Sequence, residues 1–445
     1  MTARVLMIGL DGADGRRIDR GSADGSLPHL GALRRRGRAV QLTAPAGVTD
    51  DALWASFQYE SEWGDHGRYS HVMSFGSGRL GKAHWAEAGR PAFWDDLSDQ
   101  GLRVAIIDVP KCRNPRPING LHLVDWEVHG AYFPKPRSQP KAVAQEVVDR
   151  FGAARPSRCD YLMPALDDDD AREISEHLRG SVAQKRAAGL HYLTREPWDL
   201  FAIAFMEAHC ACHSFWDFDV GHPAHDPERL ARLGDPIEAA LHDIDDAVGA
   251  FVAAAGPGAE IVAFATSDYQ PNGSLQSLMP GIVERLNAVL AERSADWRCR
   301  LLPYSDNVAA LRIEALDQAP GERGRDPAQL DWLHDALSAL RDPATGAPVV
   351  ASTSRPSTEA LGSRAAGLPD MLVQAAPGRF PSEAHSSTLG RILGSPAAMR
   401  TGNHVSGGFL IAAGRRVAEA SAGVRTMADL AGLARGALGR ERRDP

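Results

Sequence analysis

The stretch MEAHCACHSFWDF, residues 206 to 218, gathers two histidines, two cysteines and two acids into thirteen positions, directly after the strand-like run WDLFAIAF. His209 and His213 stand four apart, so a helix projects both imidazoles from one face, a spacing that suits a single divalent cation. The same spacing also occurs in surface and capping histidine pairs. Cys210 and Cys212 are alternative zinc ligands, but on a helix Cys210 points away from the histidine face, and a small buried thiol is the commoner use. Far along the chain, the glycine-rich TGNHVSGG offers His404 as the third imidazole that a zinc centre with an open position needs. Asp11 and Asp268 end apolar runs, where carboxylates either bind cations or cap the next helix.

The elements that must position these groups are legible as periodicity. RVLMIGL, LRVAIIDV, WDLFAIAF and AEIVAFATS read as buried parallel strands, and HLGALRRRG and IEAALHDIDDAVGAFVAAAG as amphipathic helices between them. Alternation of the two predicts a doubly wound α/β sheet in one core domain spanning 1–445. Asp11, Asp108, Glu207 with His209, and Asp268 follow the four strands in turn, at the carboxyl ends where such sheets bind ligands. Residues 112–195, polar and Pro-containing with the acidic run LDDDDARE, read as a lid-like insertion outside the sheet core. Within it, VDWEVHG makes Glu127 and His129 candidates for lining a pocket. Residues 300–375 hold NVAALRI and GAPVVASTSRP and read as a small α+β subdomain, while GGFLIAAG reads as the last core strand.

A net charge of −8 argues against nucleic acid as a partner, and no run approaches the roughly 18 apolar residues of a membrane span. MTARVLMIGLDG has too short an apolar core for a signal peptide and reads as a first core strand, so a cytoplasmic protein is expected. Five cysteines at irregular spacing, Cys112, Cys159, Cys210, Cys212 and Cys299, fit reduced thiols better than disulfides.

In order along nearly the whole chain, these segments resemble the alkaline phosphatase superfamily, most closely its type I phosphodiesterase/nucleotide pyrophosphatase branch. VLMIGLDGADGRRID…GSLPHLGALRRRGRAV is similar to that branch's first strand, metal-binding Asp and LP-x-L-x-x-L-x-x-x-G helix. PAGVTDDALWASFQYESEWGDHGRY resembles its nucleophile segment, and WDLFAIAFMEAHCACHSFW its strand followed by Glu-x-Asp-x-x-x-His-x-x-Trp. TSDYQPN falls where Ser-Asp-His-Gly is usual, and TGNHVSGGFLIAAG resembles the Gly-x-His metal loop. The resemblance implies an alkaline-phosphatase-like three-layer α/β/α sandwich with a lid insertion and a small β subdomain. It implies a first metal site at Asp11, Thr49 and Asp268, and a second at His209, His213 and His404. Thr49 would then be the nucleophile, forming a covalent phospho-threonine on a small-molecule phosphoester substrate. Read alone, Thr49 is also an ordinary N-cap for DDALWASF. The Cys/Ser-x-Pro-x-Arg of sulfatases is absent near Thr49.

Three departures qualify the carry-over. His209 replaces an Asp, giving an all-imidazole set that favours zinc over magnesium. Tyr269 replaces a His, and a phenolate binds iron(III) more readily than zinc, so the Asp268/Tyr269 site would hold its ion weakly or hold a different one. TDDALW is one residue longer than T-P-P-A-W, which keeps Asp50, Asp51 and Ser56 as alternatives to Thr49. The expectation is one or two zinc ions. The chain is then either a hydrolase of a phosphodiester or pyrophosphate bond, or a mono-zinc member repurposed to bind a ligand without turnover. Nothing in the sequence indicates the oligomeric state.

Overall fold

Strands whose last six residues are apolar on both faces are satisfied only by burial on both sides, and the chain uses ARVLMIGL and WDLFAIAF that way. The computed structural model describes residues 2–75, 79–82, 91–112, 115–127, 135–155, 159, 162–316, 326–355 and 368–442, and His129 lies outside these described residues. The central sheet contains β1 (Ala3–Leu10), β2 (Arg38–Gln41), β3 (Val104–Ile107), β4 (Gly120–Val124), β5 (Arg137–Gln139), β6 (Trp198–Phe205), β7 (Glu260–Phe264) and β10 (Phe409–Ala413). Their order is β2-β10-β7-β1-β6-β3-β4-β5. The five inner strands from β7 to β4 run parallel, while β10, β2 and β5 close the two sides antiparallel. A separate ladder joins β8 (Asp268–Pro271) to β9 (Gly402–Val405).

Strand alternation divides the apolar side chains between two cores. Leu6, Ile8 and Leu10 of β1 pack on one side with Phe201, Ile203, Ile261 and Ala263, and Val5 and Met7 pack on the other with Leu200, Ala202, Val262 and Phe264. The first core is closed by α1 (Gly15–Asp24), α3 (Asp168–Arg195), α4 (Glu207–Phe215) and α5 (Pro236–Ala255), through residues such as Ile18, Ile174, Val182, Ala211 and Ile244. The second is closed by α2 (Asp50–Tyr59), with Trp54 and Phe57, and by the C-terminal helix Leu430–Leu438. The result is the expected three-layer α/β/α arrangement.

A four-stranded antiparallel sheet of Trp297–Ser305, Val308–Ala315, Met371–Ala375 and Val350–Ser354 stands apart. It has its own apolar cluster with the helices Met279–Glu292 and Pro327–Ser338.

The stretch 112–195 differs from its expected place outside the sheet core. It contributes β4 and β5 to the sheet, and α3 to a covering layer. The reason is local: β4 is the short run GLHLV, whose central His122 disguises a buried strand. Burial, and then Arg137, lowers the pKa of His122 to about 3, so the ring enters the core uncharged. The acidic run at its end begins α3, with Asp167 accepting from the amides of Asp169 and Asp170 and the acids in the positive first turn.

Beneath α4 lies a fully buried cation. Lys185 of α3 places its ammonium 3.3 Å from Glu207 and 3.5 Å from Asp108. Burial opposes its charge, but Glu207 and Asp108 outweigh burial and raise its pKa above the ordinary lysine value. Glu127, a pocket-lining candidate from sequence, belongs to this network: its carboxylate accepts from Ser181 and from the Arg155 amide. Removing the cation strands two buried carboxylates, so Lys185→Met should lower the unfolding free energy by about 3–5 kcal/mol in urea titrations. Arg4→Met, which breaks a half-exposed pair with Asp199, should cost no more than about 1 kcal/mol in the same measurement.

Candidate metal centre

Because β1, β6 and β7 are parallel neighbours, the residues that follow them emerge side by side. Asp11 follows β1, α4 starts just after β6, and Thr266 to Tyr269 follow β7. The β8–β9 ladder then sets Tyr269 directly opposite His404. His209, His213 and His404 form a triangle of rings with centroids 4.5 to 4.9 Å apart, and all three are buried. Gly12 permits this closeness. It sits at φ +62°, and a Cβ there would stand 2.8 Å from the His209 Cα and 2.9 Å from the Tyr269 hydroxyl.

The ring nitrogens are prepared for ligation. His213 Nδ1 faces the Gly402 carbonyl at 2.8 Å, which only accepts, so that nitrogen carries the proton and Nε2 presents its lone pair. His404 Nδ1 pairs with the Ser267 hydroxyl at 2.7 Å, and the two Nε2 atoms meet at 3.1 Å. Burial, with Arg400 and the other imidazoles, holds the pKa of both rings well below the usual histidine value, leaving them neutral. His209 behaves differently. Burial opposes its charge, but Asp11 at 3.2 Å overrides burial and raises its pKa to about 10, while the carboxyl of Asp11 falls to about 2 against its own burial.

Each pair of imidazoles has a further candidate donor beside it. Within sets whose donor atoms all lie within 4.8 Å of one another, Cys159 joins His209 and His213, Asp50 joins His209 and His404, and Asp306 joins His213 and His404. The outer oxygen of Asp306 is buried with no hydrogen-bond donor, and it lies 4.0 Å from His404 Nε2. Arg400 holds the other oxygen of the same carboxylate. Neutral imidazoles facing each other beside an undonated carboxylate oxygen fit a divalent cation.

The sequence candidates separate here. His209, His213, His404, Asp11 and Tyr269 come together, with the Tyr269 ring 4.7 Å from that of His404. Tyr269 is kept as a neutral phenol, burial pushing its pKa well above the usual value, and its hydroxyl donates to the His209 carbonyl. Asp268 does not join them: it accepts from the Gly15 amide at 2.8 Å and from Gln41, on the opposite face of β8. Adjacent strand residues point to opposite faces, so Asp268 and Tyr269 cannot both look inward. Thr49 stands at the N-cap of α2 but makes no side-chain cap; its hydroxyl meets that of Ser305 at 2.7 Å. Asp50, the next residue, faces the imidazoles, its Oδ1 lying 3.7 Å from His404 Nε2. Asp51 pairs with Lys111 at 2.8 Å, and Ser56 with His66. Cys210 and Cys212 are packed in the first apolar core.

Sequence reasoning missed Asp306 and Cys159 as members of the site. Asp306 sits at φ +56° in the two-residue turn between the strands that end at Ser305 and begin at Val308, and its only signal is the turn-forming Ser-Asp-Asn. Cys159 carries no pattern of its own.

Imidazoles and carboxylates gathered at the carboxyl end of parallel strands put the candidate site where open α/β sheets bind ligands. Residues 5–270 match the model of the type I phosphodiesterase/nucleotide pyrophosphatase family, and the chain belongs to that family. Phosphonoacetate hydrolase from Sinorhizobium meliloti 1021, solved with phosphonoformate, is 13% identical over 98% of this chain and 96% of its own, with a TM-score of 0.57. Human ectonucleotide pyrophosphatase/phosphodiesterase 5 is 13% identical over 99% of this chain and 96% of its own, with a TM-score of 0.51. Comparison with curated proteins finds no match. Among the described residues, no helix is long and apolar enough to cross a membrane.

At pH 7, metal uptake by the apoprotein should release at least one proton, that of His209, so affinity should climb about tenfold or more per pH unit while that ring is protonated. Calorimetry in buffers of different ionisation enthalpy measures it. Ser267→Ala, which frees the outer nitrogen of His404, should weaken metal affinity by about 10-fold to 100-fold. Asp268→Asn should leave metal content unchanged by plasma emission.

Proposed function

We propose that the chain is a metal-dependent hydrolase of a phosphodiester or pyrophosphate bond in a small molecule, working at the His209, His213 and His404 centre with Thr49 as nucleophile. The observation that carries this is the Thr49 hydroxyl, buried, adjacent in sequence to Asp50 and not engaged in capping its helix. A bound ion, zinc by its nitrogen-rich donor set, would be held by these imidazoles with Asp50 and Asp306, and would supply Lewis-acid stabilisation of charge on phosphorus. Ser305 orients the Thr49 oxygen through their 2.7 Å hydrogen bond. Lys111, 2.8 Å from Asp51 and 3.7 Å from Asp50, offsets acids that would otherwise repel a phosphate. In this reading the Thr49 oxygen displaces the leaving group, and water then cleaves the phospho-threonine. Family membership supports the bond class, as does the shared fold of a protein solved with phosphonoformate. We take residues 1–445 as one catalytic domain, with the four-stranded subdomain lending Ser305 and Asp306. Five buried cysteines, none of them in a disulfide, suit a reducing compartment such as the cytoplasm.

One observation favours a second reading, a single-centre protein that binds without turnover. Asp268 faces away from the cluster and the Tyr269 phenol occupies the inward position, so the implied partner set of Asp11, Thr49 and Asp268 is not assembled.

Turnover of a chromogenic phosphodiester and of a dinucleotide pyrophosphate by metal-loaded protein separates the two. The hydrolase reading expects Thr49→Ala to lower kcat by about a thousandfold or more at unchanged metal content. Bound metal without turnover on any phosphoester would leave the second reading standing.

A further inference from the structure

Cys159 lies in the segment between the helix Ala142–Phe151 and α3, remote in sequence from both histidines of α4. It is buried, with only 1% of its surface exposed, and its Sγ falls within 4.8 Å of ligand nitrogens of His209 and His213 that are equally close to each other. The other four cysteines are buried too, yet among the described residues none of them joins such a set, not even Cys210 and Cys212 on the histidine helix itself. A second feature points to a cation independently of the thiol. The outer oxygen of Asp306, whose side chain is only 5% exposed, has no hydrogen-bond donor and is aimed at His404 on the far side of the same triangle. Arg400 pairs with the other oxygen of this carboxylate, so in a dry site the undonated one is open to a bound cation.

We infer that Cys159 is a thiolate ligand of the metal held by His209 and His213, so the centre binds a borderline-soft divalent ion through a mixed nitrogen and sulfur set. The inference rests on the metal-centre reading above and adds a donor to it. As the sulfur–metal bond forms, the thiol proton leaves to solvent, and no electron is transferred. The thiolate selects zinc or cobalt(II) over magnesium or calcium, which prefer oxygen.

Cobalt(II) alone, added to full-length protein stripped of metal under reducing conditions, tests this without any assay of activity. The expected result is visible ligand-field bands together with a near-ultraviolet sulfur-to-cobalt charge-transfer band. Cys159→Ser should lose the charge-transfer band and keep the ligand-field bands, whereas Cys210→Ser and Cys212→Ser should keep both. Ligand-field bands with no charge-transfer band in the wild-type protein, or a charge-transfer band that survives in Cys159→Ser, overturns the inference and leaves the metal centre intact. Failure of the wild-type protein to bind cobalt or zinc overturns the metal-centre reading as well. Should Cys159→Ser not fold, X-ray absorption of the zinc-loaded wild-type protein decides: one sulfur in the first shell is expected, and a shell of nitrogen and oxygen alone refutes it.

Discussion

Parallel pairing is the constraint on which the site depends. Strands joined in parallel must each return through a crossover, so every inner strand delivers its carboxyl end to the same edge of the sheet. With β1 between β6 and β7, that edge collects Asp11, the histidine helix and the segment from Thr266 to Tyr269. The Thr266 hydroxyl and the Trp54 indole both donate to one oxygen of Asp11, which fixes the carboxylate with its other oxygen turned to His209. The β8–β9 ladder then adds His404, and a turn of the second sheet adds Asp306.

The electrostatics of this edge are those of an acidic site answered only in part. Asp11, Asp50, Asp51 and Asp306 are all buried, where an unmatched carboxylate is costly. His209 answers Asp11, Lys111 answers Asp51 and Arg400 answers Asp306. For Asp50 burial dominates, outweighing Lys111, and its pKa is raised. His213 and His404 contribute no charge, being held neutral by the same burial. Lone pairs therefore outnumber protons at the centre, and a divalent ion is the partner that suits them. The Lys185 network beneath α4 plays a different part, pairing with one oxygen of Glu207 at the first residue of the helix that bears two of the imidazoles.

Legibility followed the range of the interactions. His209 and His213 were readable because a helix makes residues four apart into neighbours whatever surrounds them. The parallel strands were readable because only burial on both faces accounts for runs such as RVLMIGL and WDLFAIAF. β4 was not, since a strand of five residues with a central histidine has no such run. Thr49 stands at the start of α2, but its extra neighbour leaves open from sequence which side chains approach the imidazoles; Asp50 comes within 3.7 Å of His404 Nε2. Asp306 and Cys159 had no local pattern to betray them, because each reaches the centre through the packing of a separate segment.

By itself, then, the sequence determined the family and the α/β layering, and it marked three imidazoles that the fold brings together at the carboxyl end of the parallel strands. These follow from local periodicity and from motifs whose order along the chain is preserved. Tertiary structure alone decided which of two adjacent residues, Asp268 or Tyr269, looks into the centre. It also brought Asp50, Asp306 and Cys159 close to those histidines. The physical reason is that strand alternation assigns a face only once a strand has found its partner, and ligands on separate segments become neighbours only when the layers pack.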